Sequence, residues 1–161
     1  MTPVEPCGPE RAADVHRLTQ AAFSALHVDP PSGALRETVE LVADELAAGG
    51  GAIAEIGGRP VACLRWHTAD SGDFHVRRLA VDPDLQRQGL GRQLMLWADG
   101  EAATRSCPGI TVGVRIALPG NLEFFRSLGF EVTAEHRHDG YDAPTWFAMR
   151  KPARPPGLDA A

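Results

Sequence analysis

The chain has 161 residues, of which 43% are hydrophobic and 23% charged, and its net charge is −5. A length of this order suits one domain that buries roughly 70% of its unfolded surface and needs no disulfide or metal staple. The acidic balance argues against nucleic acid as a main partner and favours an amine-bearing one, and no apolar run approaches the ~20 residues of a membrane span, so no membrane is expected.

Thr2–Pro6 reads as a short first strand. Glu10–Leu26 reads as a helix, with Val15, Leu18, Ala22 and Ala25 on one face and Pro9 suited to its first turn. Asp29-Pro30-Pro31 breaks the pattern. A second helix follows, with Ser32 as its cap, Leu35, Val39, Val42 and Leu46 as its apolar stripe and Gly49-Gly50-Gly51 as its stop. Ala52–Ile56 and Pro60–His67 flank Gly57-Gly58, a two-residue hairpin signal. Phe74–Val81 is the next strand, and a helix runs from about Gly91 to Arg105, with Leu90, Leu94, Trp97 and Ala98 turned inward. Ile110–Leu118 is a strand, Pro119-Gly120 a turn and Asn121–Leu128 a short helix. Phe130–His138 and Thr145–Lys151 close the sheet around Asp139-Gly140. Residues 1–152 form the domain, and 153–161 read as a Pro-rich, disordered tail.

This order demands antiparallel hairpins but joins the strands on either side of the central helix in parallel. A mixed α/β (α+β) sheet, mostly antiparallel, with helices on both faces, is the consistent fold. Cys7, Cys63 and Cys107 lack metal or redox spacing. With no signal-like N-terminus they read as free thiols in a cytoplasmic protein. His136 and His138 share a strand face, but nothing nearby completes a ligand set, so no metal is expected.

The most informative stretch is Leu79-Ala80-Val81-Asp82-Pro83-Asp84-Leu85-Gln86-Arg87-Gln88-Gly89-Leu90-Gly91-Arg92. It reads as a strand, a glycine-bearing loop and the start of a helix, an order that makes an anion site. The first N–H groups of a helix are unpaired and carry partial positive charge, and glycine lets a ligand approach the backbone closely. A Walker loop is excluded, because no Lys-Ser or Lys-Thr follows. A dinucleotide fingerprint is excluded too, because Gln93-Leu94 lead to Met95 where a third glycine is needed.

What remains, Gln-x-x-Gly-x-Gly, resembles the coenzyme A loop of the GNAT superfamily of acyl-CoA N-acyltransferases. The preceding Leu-Ala-Val-Asp-Pro and the later Phe125-Arg126-Ser127-Leu128-Gly129-Phe130 resemble the family in order and spacing. The resemblance implies a single domain with a V-shaped splay in the centre of its sheet, acetyl-CoA as co-substrate, and transfer of its acetyl group to a primary amine of a small molecule or peptide. It implies that backbone along Leu79, Ala80 and Val81 pairs with the pantetheine arm. Gln86, Gln88, Gly89, Leu90, Gly91 and Arg92 would cradle the pyrophosphate, with charge added by Arg87 and Arg92.

An ammonium has no lone pair, so transfer needs a base. Many members carry a glutamate on the strand before the loop, and that place falls on His75. By alternation His75, Arg77, Leu79 and Val81 share one face. His75 is either the base or a partly exposed strand histidine. Where many members have a proton-donating tyrosine, this chain has Phe125. Either the thiolate leaves unaided or another group serves, Tyr141 being the sole tyrosine. An asparagine common in the family is displaced. Leu118 holds its place, and Asn121 either contacts the coenzyme or caps its helix. Asp29, Asp70, Asp73, Asp139 and Asp142 are loop carboxylates that either meet the amine or are simply solvated. Two rival readings stay open: a non-catalytic acyl-CoA sensor, and a phosphate-binding α/β domain unrelated to coenzyme A. Small domains of this kind often pair, so a homodimer stays open as well.

Overall fold

A computed structural model describes residues 2–154; of the expected tail, 155–161 lie outside the described residues. Seven strands form one sheet: β1 (Val4–Cys7), β2 (Gly50–Ile56), β3 (Arg59–Thr68), β4 (Phe74–Val81), β5 (Gly109–Arg115), β6 (Glu131–His136) and β7 (Trp146–Pro152). Their spatial order is β1-β2-β3-β4-β5-β7-β6. Every pair is antiparallel except β4 with β5. The four α-helices are α1 (Ala12–Ser24), α2 (Val39–Ala48), α3 (Leu90–Thr104) and α4 (Pro119–Ser127).

The alternation of strand side chains builds two cores. On one face Ile53, Cys63 and Ala80 meet Val15, Leu18 and Ala22 of α1 and Val42 and Leu46 of α2. On the other, Leu64, Trp66, Phe74, Val76, Ile110, Val112 and Val114 meet Leu90, Leu94, Met95 and Ala98 of α3 and Phe125 of α4. Helices on both faces, one mixed sheet and a parallel seam in its middle are the architecture the sequence implies.

Several local boundaries differ. Ser32 does not cap α2. Its hydroxyl accepts from Ala34 N–H at 3.2 Å and caps a short 3-10 turn, Gly33–Arg36. Glu37 is then extended, and Thr38 caps α2 by accepting from Leu41 N–H at 3.1 Å. Leu35 and Val39 therefore leave the apolar stripe and are exposed, while Val42 and Leu46 remain buried. Ala25 ends α1 on its exposed side. Trp97 is half-buried, and Met95 and Ala102 take up the inward face of α3. Gly50 and Gly51 belong to a strand: a Cβ on Gly50 would fall 2.7 Å from the Trp66 ring, and one on Gly51 would fall 2.6 Å from Leu46. Close packing, not a helix stop, selects these glycines. Helix α4 begins at Pro119, so Pro119-Gly120 is its first turn.

Candidate active site

The cleft follows from the one parallel seam. Strands β4 and β5 pair only at Phe74 with Ile110 and His75 with Thr111. Beyond these rungs they diverge, and the β5-facing backbone of Val76–Val81 has no strand partner among the described residues. An unpaired edge inside a sheet offers alternating donors and acceptors to an extended, peptide-like ligand.

The loop after β4 stands at the wide end of this splay. Asp82 N–H donates to Val61 O at 2.8 Å, and the Asp82 carboxylate accepts from Asp84 N–H at 3.0 Å and Arg59 at 2.8 Å. Arg87 and Gly89 then take left-handed backbone, with φ of 65° and 83°. The first internal bond of α3 runs from Gln93 N–H to Gly89 O at 3.0 Å, and no side chain caps the helix. The N–H groups of Leu90, Gly91 and Arg92 are therefore free within the described residues, at the positive end of a fifteen-residue helix. A Cβ on Gly89 would meet nothing within 4 Å, so the space beside these amides is open. A Cβ on Gly91 would lie 3.5 Å from Phe124, 3.9 Å from Leu79 and 3.9 Å from Val81. These features fit a pyrophosphate followed by a pantetheine arm.

The expected single face of β4 is not observed. Arg77 lies opposite Arg65, but Ala80 lies opposite Cys63, so Arg78 and Leu79 together oppose Leu64. This is a bulge, with Arg78 at φ 55°. It inverts the alternation. His75 and Arg77 face α1 and α2, whereas Leu79 and Val81 pack on the α3 side. Ala80 is 1% exposed and its side chain sits in the α1–α2 core, which leaves only its backbone at the cleft.

His75 sits at the apex of the splay. Its Nδ1 lies 2.8 Å from Thr111 Oγ1, and its ring is 5.0 Å from that of His67. Burial first, then His67 and Arg77, lower its pKa from 6.5 to about 4. The imidazole is thus neutral at neutral pH. Beside it lies an ionic network that no local sequence pattern announces. Arg65 is 1% exposed; it donates to Glu37 at 2.8 Å and approaches Glu45 at 3.4 Å. Arg78 Nε donates to Glu37 at 3.1 Å. Arg77 approaches Glu37 at 3.7 Å and Glu45 at 3.2 Å, the latter not aligned as a hydrogen bond. Burial alone would raise the Glu37 pKa, but the guanidiniums of Arg65 and Arg78 outweigh it and hold the carboxyl below its ordinary range.

The remaining expected residues separate. Gln86, Arg87, Gln88 and Arg92 are exposed around the loop, while the Leu90 side chain anchors α3 in the core at 3% exposure. Phe125 is buried, edge-on to Phe124 and Phe130; the ring facing Gly91 is that of Phe124. Asn121 is no cap. Leu118 holds the N-cap position, and the Asn121 side chain is exposed on α4. Tyr141 donates to Asp29 at 2.6 Å, and that bond raises its pKa. Arg115 donates to Pro30 O at 2.8 Å, so the 29–31 loop and the β6–β7 connection meet above the end of β5. Asp73 is bound by Arg150 at 2.9 and 3.1 Å, so it does not greet a ligand, whereas Asp70, Asp139 and Asp142 are exposed. Among the described residues no group of three His, Cys, Asp or Glu side chains forms a metal site, and no helix is long and apolar enough to cross a membrane.

Known proteins carry the same frame. The chain is similar to the ribosomal-protein-S18-alanine N-acetyltransferase of Escherichia coli, with a TM-score of 0.79 and 20% identity over 100% of this chain and 99% of that one. It is similar to the PaiA N-acetyltransferase of Thermoplasma acidophilum, solved in complex with coenzyme A, with a TM-score of 0.75 and 13% identity over 94% and 99%. In sequence it is 31% identical over 70 residues to the peptidyl-lysine N-acetyltransferase YjaB of Salmonella typhimurium; the match spans 44% of this chain and 45% of that relative's length. Residues 48–132, from the last residue of α2 to the start of β6, match the acetyltransferase (GNAT) domain, and with more than half its length inside that match the chain belongs to the GNAT acetyltransferase family.

Proposed function

We propose that this chain transfers acetyl from acetyl-CoA to a primary amine of a small molecule or peptide. The observation that carries the reading is the β4–β5 splay opening beside the uncapped α3 N-terminus. The amides of Gly89, Leu90, Gly91 and Arg92 hold the pyrophosphate, with Gln88 beside them and charge from Arg87 and Arg92. The free backbone edge at Leu79, Ala80 and Val81 holds the pantetheine arm. Bound acetyl-CoA supplies an activated acetyl thioester. His75, on the opposite face, takes a proton from the incoming amine; its neutral ring has the lone pair this needs, and Thr111 fixes its orientation. Tyr141, engaged by Asp29, is not used as an acid in this reading, and Phe125 serves only to pack the thiol end.

Free-thiol release from acetyl-CoA across an amine panel tests the proposal, with a thermal shift on acetyl-CoA against ATP beside it. Amine-dependent thiol release is expected. A shift with acetyl-CoA but no release from any amine would favour the sensor reading, for which the non-ionisable Phe125 speaks. Equal shifts with ATP would favour generic phosphate binding.

A further inference from the structure

The acceptor side of the cleft carries a charge opposite to that of the whole chain. The protein has a net charge of −5, yet neither β4 nor β5 contains a carboxylate. The strand groups on this face are His75, Arg77, Arg78, Thr111 and Arg115. The acids within reach, Glu37 and Glu45, are shared among three guanidiniums, those of Arg65, Arg77 and Arg78. Three positive charges against two negative ones leave one unmatched, carried on the partly exposed Arg77 and Arg78 beside the buried Arg65.

The donors are in surplus as well. Each guanidinium has five N–H donors in a planar fork. Arg78 spends only its Nε, on Glu37. Arg77 makes no aligned hydrogen bond, and its Nε and that of the fully buried Arg65 have no partner among the described residues. The β4 backbone brings the Arg77 and Arg78 side chains to this face. The bulge turns two consecutive side chains to one face and holds Arg78 at φ 55°, a strain that persists only where surroundings impose it. Strand pairing ends at His75 and Thr111, and the next position on this face of β5 is Gly113, which has no side chain. Arg77 leans towards Glu37 and Glu45 and is still 36% exposed, beside this open stretch of β5.

We propose that Arg77 and Arg78 form an anion subsite for a carboxylate on the acceptor, so that the acceptor is a small amino-acid-type amine. The proposal rests on the acetyl-transfer reading of the same cleft. A carboxylate matches the guanidinium fork in two parallel hydrogen bonds and cancels the unmatched charge. It anchors the acceptor two residues from His75, with the amine left to reach the ring. It also offsets the influence of Arg77 on His75, the smallest of the three that lower its pKa after burial and His67. An amine without a carboxylate would meet two cations instead.

The test compares several L-amino acids, each with its own carboxamide, as acceptors in the thiol-release assay. The wild type should favour the acid over the amide by ~10-fold or more in kcat/KM, chiefly through KM, as expected for charge-assisted hydrogen bonds. Arg77→Gln and Arg78→Gln should each cut that ratio by at least ~5-fold, and Arg77→Lys should keep part of it. Melting curves and acetyl-CoA binding establish that the variants are folded. An acid-to-amide ratio of one or less in the wild type would overturn the proposal. So would a ratio unmoved in folded glutamine variants, because a purely structural network would weaken both acceptors alike. If no amine is turned over, calorimetry with coenzyme A present decides, with N-acetyl amino acids set against their amides. Selective binding of the acids, weakened in Arg77→Gln, would uphold the subsite even though the transfer reading had failed. Binding of neither would sink the subsite too.

Discussion

Gly89 bears two demands at once. Its φ of 83° is one that an L side chain adopts at a cost of roughly 1–2 kcal/mol, and the space beside it is where an anion would meet the α3 amides. An added Cβ has no protein atom within 4 Å there. Gly89→Val is therefore expected to lower stability by that modest amount and to abolish the thermal shift on acetyl-CoA. Gly89→Ala should show similar strain with a weaker loss of binding. A folded Gly89→Val protein with wild-type affinity would disprove the loop assignment. His75 makes a different demand, on rate alone. His75→Ala should cut turnover by ~10²–10⁴-fold with acetyl-CoA binding nearly unchanged, and His75→Glu should recover part of it. With its pKa lowered to about 4, the acidic limb of the free enzyme's pH–rate profile should lie well below 6.5. Turnover within a few fold of wild type in His75→Ala would put the base elsewhere.

At the scale of elements, patterns within a strand or helix were readable, and contacts across the fold were not. Gly57-Gly58 announced its hairpin, and Gln86–Arg92 announced its loop, because both signals are local. Simple alternation holds from His75 to Arg77 and fails beyond it. Arg78 shifts the register of β4, and nothing in an alternating pattern counts the residues on the partner strand. One sign was present: Arg77-Arg78 puts two charges side by side in a strand otherwise apolar on alternate positions. The start of α2 at Val39, capped by Thr38, is not marked in the pattern, because Ser32 further upstream also offers a capping hydroxyl. Arg65 reads as an ordinary polar strand position; only α2 and the 37–38 segment folding over it reveal a buried ion. That network ties α2 to the sheet. Glu37→Leu should destabilise the protein by about 3–5 kcal/mol, because it strands guanidiniums in the interior. Urea denaturation measures this, and a near-neutral result would show that water reaches the network.

The same buried groups set the acid tolerance of the whole molecule. His75 has an ordinary pKa of 6.5 and a native one of about 4. Between those values the unfolded chain binds a proton that the native state refuses, so stability rises with pH across this window and is lost as pH falls through it. Glu37 and Asp73 have lowered values, so their contributions are complete above the ordinary carboxyl range and disappear further into acid. A two-stage loss is expected: a gradual decline from about pH 6.5 towards 4, then a steeper one. His75→Ala should shrink the first stage, leaving the share of His138, whose pKa burial also lowers, and leave the second intact. Melting temperatures measured from pH 7 to pH 3 check this, and an identical decline in the variant would assign the first stage to another group.

Two rungs of backbone pairing join β4 to β5, and this has a consequence for how the protein breathes. Amide hydrogens that face the gap beyond Thr111 and His75 lack the ladder that shields their neighbours. They should exchange with deuterium orders of magnitude faster than those of β2 and β3, although all lie in one sheet. A ligand lying along the edge of β4 would act as the absent strand and slow exchange there first. Residue-resolved exchange would then trace where the ligand runs, without any turnover and before the acceptor is known.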